Sequence, residues 1–180
     1  MILRVHSDVS YLSVSKGRYR AAGYFFLSSA AQSQNSPTTK PSTITDNKSP
    51  LEPLPPSNGA VHVLYTILKS IMASATEAEI AAIFVNCQEC IPLRNTLEDL
   101  GYPQPPTHIQ VDNEYAVGII TDTVKQKRTK SMDMRFYWIR DRVKQGQFFI
   151  YLRRGTDNLA AYHTKHHPVS HHHSVRKFIC

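Results

Sequence analysis

The stretch from residue 107 to 120 changes its apolar spacing at a single carboxylate. Ile109 and Val111 alternate with polar neighbours, which predicts a short strand. Beyond Asp112, apolar residues recur at spacings of three and four, which predicts a helix with an apolar stripe. A strand that runs directly into a helix indicates a layered sheet-and-helix fold, with Asp112 at the end of a strand.

Further strands and helices are predicted from the same spacings and from turn residues. The strands are predicted at residues 1–7, 18–28, 60–72 and 147–153, and the helices at residues 132–144 and 156–165, with a longer one that ends at Gly101. Residues 9–17 are rich in serine and are predicted to form a hairpin loop. The order predicts an α/β or α+β fold with a five-stranded mixed sheet flanked by helices.

The amino-acid composition divides the chain into a domain, an insertion and a tail. Residues 28–59 hold six of the eleven prolines and no aromatic residue, which predicts a disordered insertion. Six of the nine histidines lie within residues 163–173, and residues 168–180 are predicted to be an exposed, His-rich basic tail. Residues 1–27 and 60–167 are therefore expected to form one domain.

The sequence lacks a run of eighteen apolar residues and a continuous apolar signal region. Its three cysteines are too few for a disulfide framework, and Cys87 and Cys90 lie inside the long predicted helix, where core packing is expected rather than a zinc or redox site. We expect an intracellular protein, cytoplasmic or nuclear, that is a monomer and binds no membrane.

Positive charge is concentrated in one region. Residues 124–154 hold ten Lys and Arg against two Asp, whereas the net charge of the whole chain is +7. This favours a nucleic-acid partner. The predicted phosphate-binding residues are Lys127, Arg128, Lys130, Arg135 and Arg140.

Two interpretations of this basic segment remain open. Tyr137 and Trp138 would contact a sugar or base in a nucleic-acid surface. In the alternative, the segment is an amphipathic helix that packs Met134, Trp138 and Ile139 into the core. Both hold if opposite faces of the helix are used, with Trp138 mainly in the core.

Three acids are predicted to meet at one end of the sheet. Asp8 follows the first predicted strand, Glu79 lies early in the long helix, and Asp112 ends the fourth strand. Carboxylates that converge in this way suit Mg²⁺. Each also has a structural alternative: Asp8 as a turn residue, Asp112 as a helix cap, and Glu79 in a capping box.

Five segments together carry a resemblance. They are SDVSY at residues 7–11, ATEAEIAAIF at 75–84, QVDNEYAVGII at 110–120, KRTKSMDMRFYWIRDRV at 127–143 and NLAAYHTKHH at 158–167. In this order they resemble the ribonuclease H domain of copia-type retrotransposon polyproteins, which accompanies a reverse transcriptase. The resemblance implies the ribonuclease H-like fold and an endonuclease that hydrolyses the RNA strand of RNA–DNA hybrids with two Mg²⁺ or Mn²⁺ ions. According to this resemblance, Asp8, Glu79 and Asp112 match three of the four catalytic, metal-holding acids.

The fourth acid is missing. The family reads Leu-Ala-Asp before a Thr-Lys pair, whereas Ala161 follows Leu159 and Ala160 here. Asp157 lies four residues earlier and would replace the lost carboxylate only after a local shift, so we expect it to cap the helix instead. We therefore predict low or absent activity.

Three functional alternatives remain. The domain is a weakened ribonuclease H, a catalytically dead remnant that only binds nucleic acid, or a nuclease or integrase of the same fold that uses three acids. A polymerase domain is not expected in this chain.

Overall fold

The computed structural model describes residues 1–14, 18–29, 59–69, 72, 74–121 and 134–179. Nearly all of the predicted insertion at 28–59 lies outside these residues. The predicted phosphate contacts Lys127, Arg128 and Lys130 also lie outside them.

The described chain forms five strands and five helices. The strands are β1 (Ile2–Val14), β2 (Arg18–Ser28), β3 (His62–Leu68), β4 (Thr107–Val111) and β5 (Phe148–Leu152), and the helices are α1 (Ala75–Asp99), α2 (Glu114–Ile120), α3 (Met134–Lys144), α4 (Ala161–Thr164) and α5 (Val169–Ile179). The sheet order is β3-β2-β1-β4-β5. β2 pairs antiparallel with β1 and β3, whereas β4 pairs parallel with β1 and β5. The predicted five-stranded mixed sheet is confirmed.

The first strand is longer than predicted, and Asp8 does not end it. β1 continues to Val14, through the serine-rich segment expected to be a loop. The cause is β2, which stays paired with β1 past Asp8, opposite Ala22, and reaches Val14, opposite Arg18, after an irregularity in the register beyond Ser10. Pairing with a long neighbour satisfies the backbone of a segment whose local composition favours a turn.

Helix α1 packs its apolar residues onto the sheet. Ile83, Cys87 and Cys90 are fully buried in the main core cluster, so the prediction that the two cysteines serve core packing is confirmed. The helix ends as predicted before Gly101, whose φ of 85° is a conformation that glycine adopts without strain. None of the helices in the described ranges has the length and apolar character needed to cross a bilayer.

Helix α3 shows which aromatic residues of the basic segment reach the core. Phe136 and Ile139 are buried, and Trp138 packs edge-on against Phe84 of α1, with ring centroids 5.2 Å apart. The prediction that Trp138 and Ile139 pack in the core is confirmed. Met134 is 79% exposed, so its predicted core position is wrong; it is the first residue of the helix and lies beyond the buried stripe.

The chain after β5 folds differently from the prediction. A single helix was expected at 156–165, but a 3-10 turn (Gly155–Asp157) and the short helix α4 are separated by Asn158. The expected tail at 168–180 contains helix α5, which buries Val175 in a cluster with Tyr24 and Phe26 of β2. The apolar residues of this segment cover the sheet face opposite α1, which the surrounding histidines obscured in the sequence.

Gly23 of β2 permits the close approach of α1. Buried Asn86 donates from Nδ2 to Ser7 Oγ at 2.8 Å and to the Ala22 carbonyl at 3.1 Å. A Cβ on Gly23 would lie 2.0 Å from Asn86 Oδ1 and 2.7 Å from Cε2 of Phe25. Real Cβ atoms do not make such close contacts, so the Asn86 and Phe25 side chains, or the helix that carries Asn86, would have to shift.

Replacing Gly23 by alanine should destabilise the protein by about 1–3 kcal/mol, the usual cost of overpacking a core. Denaturant unfolding measures the loss. The loss should be smaller when Gly23→Ala is made in an Asn86→Ala background, because the nearest clashing atom is then absent. An equal loss in both backgrounds would contradict the contact assigned to Asn86.

Candidate metal and active site

The register of two parallel strands brings Asp8 and Asp112 together. β1 pairs with β4 up to His6 opposite Gln110, and β4 ends at Val111. Continuing this register by two residues places Asp8 beside Asp112. Asp8 thus lies where β1 loses its partner on the β4 side, although β1 itself continues.

The helix-capping roles that were alternatives for Glu79 and Asp112 are filled by neighbouring residues. Ser74 caps α1 by accepting from the Glu77 backbone N–H at 3.2 Å, so the capping position belongs to Glu77 and not to Glu79. Asn113 caps α2 by accepting from the Ala116 backbone N–H at 3.0 Å. The cap alternatives for Glu79 and Asp112 are therefore wrong.

The three predicted acids form one cluster. One carboxylate oxygen from each of Asp8, Glu79 and Asp112 lies within 4.8 Å of the other two. Asp8 and Glu79 are buried and Asp112 is partly buried. In the described part of the chain, no other group of three acid, histidine or cysteine side chains comes this close.

The cluster fits a divalent cation. Glu79 is only 6% exposed, and its Oε2 atom has no hydrogen-bond partner. A buried carboxylate oxygen without a donor is costly unless a cation or proton satisfies it. Three oxygen donors at a partly open site are what Mg²⁺ or Mn²⁺ prefers.

The segment after Ala161 supplies both partners of Asp8. The Thr164 hydroxyl donates a hydrogen bond to Asp8 Oδ2. Lys165 places its Nζ 3.0 Å from Asp8 Oδ1 and 4.0 Å from Asp112 Oδ2. Both oxygens of Asp8 are therefore engaged by α4 and the residue that follows it.

Burial sets the protonation of the acids. Desolvation raises the pKa of Asp8 above its usual value, although Thr164 and Lys165 pull it down. Desolvation also raises the pKa of Glu79 to about 9, with repulsion from Asp8 and Asp112 adding to the effect. Without a divalent ion, Glu79 is therefore protonated at neutral pH.

Lys165 keeps its charge in this setting. Burial alone would lower the pKa of Lys165, but attraction and hydrogen bonding by Asp8, with help from Asp112 and Glu79, raise it overall. The ammonium is thus held against the acids as a cation.

The position to which the resemblance assigns a fourth acid has no carboxylate. Ala161 is buried at the start of α4. Asp157 accepts from Arg153 Nε at 3.3 Å and lies outside the acid cluster. Asn158 holds the intervening backbone by donating to the Ser7 carbonyl at 2.7 Å. Because this contact interrupts the expected helix, Asp157 does not lie one helical turn before Ala161.

Gly155 leaves room for Asp112. A Cβ at Gly155 would lie 2.8 Å from Asp112 Oδ2. The backbone after β5 therefore closes one side of the cluster, and a side chain here would push the carboxylate away.

The two predicted phosphate-binding residues that the structure describes, Arg135 and Arg140, lie on α3. Arg135 and Arg140 are partly exposed, and the Arg140 guanidinium lies 5.5 Å from the centre of the Phe136 ring. Tyr137 is 57% exposed. Their predicted role in phosphate binding stays a prediction, as does that of the three cations outside the described residues.

Sequence reasoning missed Thr164 and Lys165 as members of the site. The signal was present, because the Thr-Lys pair belongs to one of the five resembling segments. No periodicity connects this pair to Asp8, which lies 157 residues from Lys165 along the chain.

Comparison with known proteins agrees with the sequence resemblance. No family model matches the chain. It is 32% identical over 87 residues to the retrovirus-related Pol polyprotein from transposon TNT 1-94 of Nicotiana tabacum. The aligned part covers 48% of this chain and 7% of the polyprotein. The chain therefore has a retrotransposon Pol homologue, and that expectation is confirmed.

Solved structures show the fold. LC11-RNase H1, isolated from compost by a metagenomic approach, matches with a TM-score of 0.56 at 12% identity, covering 89% of this chain and 90% of that one. The same enzyme in complex with an RNA/DNA hybrid matches with a TM-score of 0.55 at 11% identity, covering 87% and 88%. The N-terminal ribonuclease H domain of a Mycobacterium tuberculosis protein matches with a TM-score of 0.52 at 11% identity, covering 90% and 92%. The predicted ribonuclease H-like fold is confirmed.

The raised pKa of Glu79 predicts a pH-dependent stability in EDTA. Between the ordinary pKa of 4.5 and the folded value of about 9, the unfolded chain loses this proton while the folded chain keeps it. The contribution of Glu79 to the free energy of unfolding therefore falls as pH rises through that window. Glu79→Gln removes the proton exchange, so the variant should exceed the parent in stability by roughly 1–3 kcal/mol at pH 8 and by little near pH 4.5.

Thermal or denaturant unfolding at several pH values measures this difference. Glu77→Gln is the matched control, because it changes the same charge at the capped end of α1. A stability difference between Glu79→Gln and the parent that is the same at pH 5 and pH 8 would contradict the assigned protonation.

Proposed function

We propose that this chain is the ribonuclease H domain of a copia-type retrotransposon, that it binds RNA–DNA hybrids, and that it hydrolyses the RNA strand slowly with Mg²⁺ or Mn²⁺. The observation that carries the proposal is the convergence of Asp8, Glu79 and Asp112, with carboxylate oxygens within 4.8 Å of one another. A Pol polyprotein homologue and a structural neighbour that binds an RNA/DNA hybrid support the same activity.

The chain's own groups have defined roles in this proposal. Asp8, Glu79 and Asp112 would hold the ions, which when bound would supply an activated water and stabilise the leaving oxygen. Glu79 gives up its proton as it becomes a ligand, so metal binding releases protons and strengthens with pH. Thr164 orients Asp8 through its hydroxyl, and Gly155 leaves space for Asp112.

Ala161 weakens the reaction. The resemblance assigns the missing carboxylate, together with Asp8, to the ion that activates water. An alanine offers no ligand, so the chain would hold such an ion with fewer oxygens and would position the attacking water less well. Binding of the hybrid does not depend on this residue.

The hybrid is bound by the basic segment. We assign phosphate contacts to Lys127, Arg128, Lys130, Arg135 and Arg140. Exposed Tyr137 lies on the same helix as the two arginines and is available to a sugar or base.

A second candidate is a domain that binds hybrids without cleaving them. Ala161 favours it, because the acid that this position carries in the family is lost. The two candidates share the nucleic-acid surface and differ only in turnover.

Restoring the fourth acid should raise activity. We expect Ala161→Asp to cleave a labelled RNA–DNA hybrid about 100-fold faster than the parent, because a misplaced reactant costs that much. A gel assay with Mg²⁺ or Mn²⁺ measures the rates. Asp112→Asn, which removes a ligand of the cluster, should cleave at background level.

Equal turnover by the parent and Ala161→Asp would contradict the weakened site. Cleavage by Asp112→Asn above background, at the rate of the parent, would contradict the whole assignment. A parent rate at background, with Ala161→Asp active, would select the binding-only candidate.

Hybrid affinity should fall steeply with salt. In EDTA, the logarithm of the binding constant should fall linearly with the logarithm of salt concentration, because bound phosphates release counterions. Lys130→Ala should reduce the magnitude of this slope by about 1. Fluorescence anisotropy of a labelled hybrid measures it, with Lys177→Ala on α5 as the control. A flat salt response would contradict phosphate binding.

A further inference from the structure

Lys165 occupies the position at which a cation meets Asp8. Its Nζ lies 3.0 Å from Asp8 Oδ1 and 4.0 Å from Asp112 Oδ2. The other oxygen of Asp8 accepts from Thr164, so neither oxygen is without a partner. An ion that binds Asp8 therefore shares an oxygen with Thr164 or Lys165, and at Oδ1 it meets the positive charge of the ammonium.

The lysine contact is the one that can be exchanged. The Asp8 side chain is 1% exposed, whereas that of Lys165 is 45% exposed. The ammonium can move into water on a flexible stem, while Asp8 remains in β1. The Thr164 hydroxyl, by contrast, is buried at the end of α4.

The charge of the acid cluster favours the presence of Lys165 beside Asp8. Three carboxylates approach one another here, and Ala161 adds no fourth. A single ammonium lies beside Asp8 and Asp112 and offsets the repulsion between these two carboxylates, and it is tied to the chain one residue after α4. A tethered cation has a high effective concentration at the site.

We propose that Lys165 is the resident cation of the acid cluster and that it lowers the affinity of the cluster for divalent ions by competing for Asp8. The inference rests on the ion site of the proposed function. Lys165 is thereby a positioning residue, which keeps Asp8 and Asp112 together in the absence of an ion and leaves Asp8 when one binds.

Mn²⁺ binding to the full chain tests the competition. Lys165→Met should bind Mn²⁺ about tenfold more tightly than the parent, since one ion pair with a buried carboxylate no longer has to be broken. Lys165→Arg retains a cation and should bind more weakly than Lys165→Met. Lys144→Met on α3 removes the same charge elsewhere and should match the parent. Isothermal titration calorimetry measures the affinities, with Asp112→Asn as the baseline.

A second measurement uses the unaltered protein. The rate at which an amine-reactive reagent modifies Lys165, followed by mass spectrometry, should rise several-fold when Mn²⁺ is added. The rate at Lys144 should stay constant. This readout keeps the inference testable even if Lys165→Met does not fold.

Two results would overturn the inference in different ways. If the parent and Lys165→Met bind Mn²⁺ equally, both more tightly than Asp112→Asn, Lys165 does not compete and the proposed function stands. If neither binds more tightly than Asp112→Asn, the ion site itself fails, and the proposed function fails with it. A labelling rate of Lys165 that is unchanged by saturating Mn²⁺ also overturns the competition.

Discussion

The parallel pairing of β1 with β4 determines where the site can form. It aligns Asp8 with Asp112 across two strands that are about 100 residues apart in sequence. Helix α1, held close to the sheet by the Asn86 contacts beside Gly23, then brings Glu79 to the same edge. Shifting the register by a single residue would turn one aspartate to the other face of the sheet and separate the pair.

Electrostatic repulsion then determines how the acids at this edge of the sheet are protonated and paired. Three carboxylates cannot all be charged and buried together without a counterion. Two features reduce this repulsion. Glu79 is protonated, and the ammonium of Lys165 lies against Asp8. The absence of a carboxylate at Ala161 reduces the demand for cations, and in the proposed function it also reduces the ability to position water. In the proposed function, hybrid binding and hydrolysis are thus separable properties.

The spacing of apolar residues and the capping rules were sufficient to predict the strands and helices that are determined by their own local sequence. The strand that ends before Asp112, the helix that carries Glu79 and the five-stranded sheet follow from apolar periodicity. Interactions between distant segments were not predictable in this way. β1 extends to Val14 because β2 pairs with it, and α5 docks through Val175 although histidines dominate its sequence. Lys165 joins the site through a contact that no local pattern encodes.

The central claim is that the three acids form one divalent-ion site. A crystal structure determined with Mn²⁺, using its anomalous scattering, tests this claim most directly. The account predicts a manganese peak within about 2.5 Å of carboxylate oxygens of Asp8, Glu79 and Asp112, with the Lys165 ammonium moved away from Asp8. At saturating Mn²⁺, no peak at the cluster and an intact contact between Lys165 and Asp8 would contradict it.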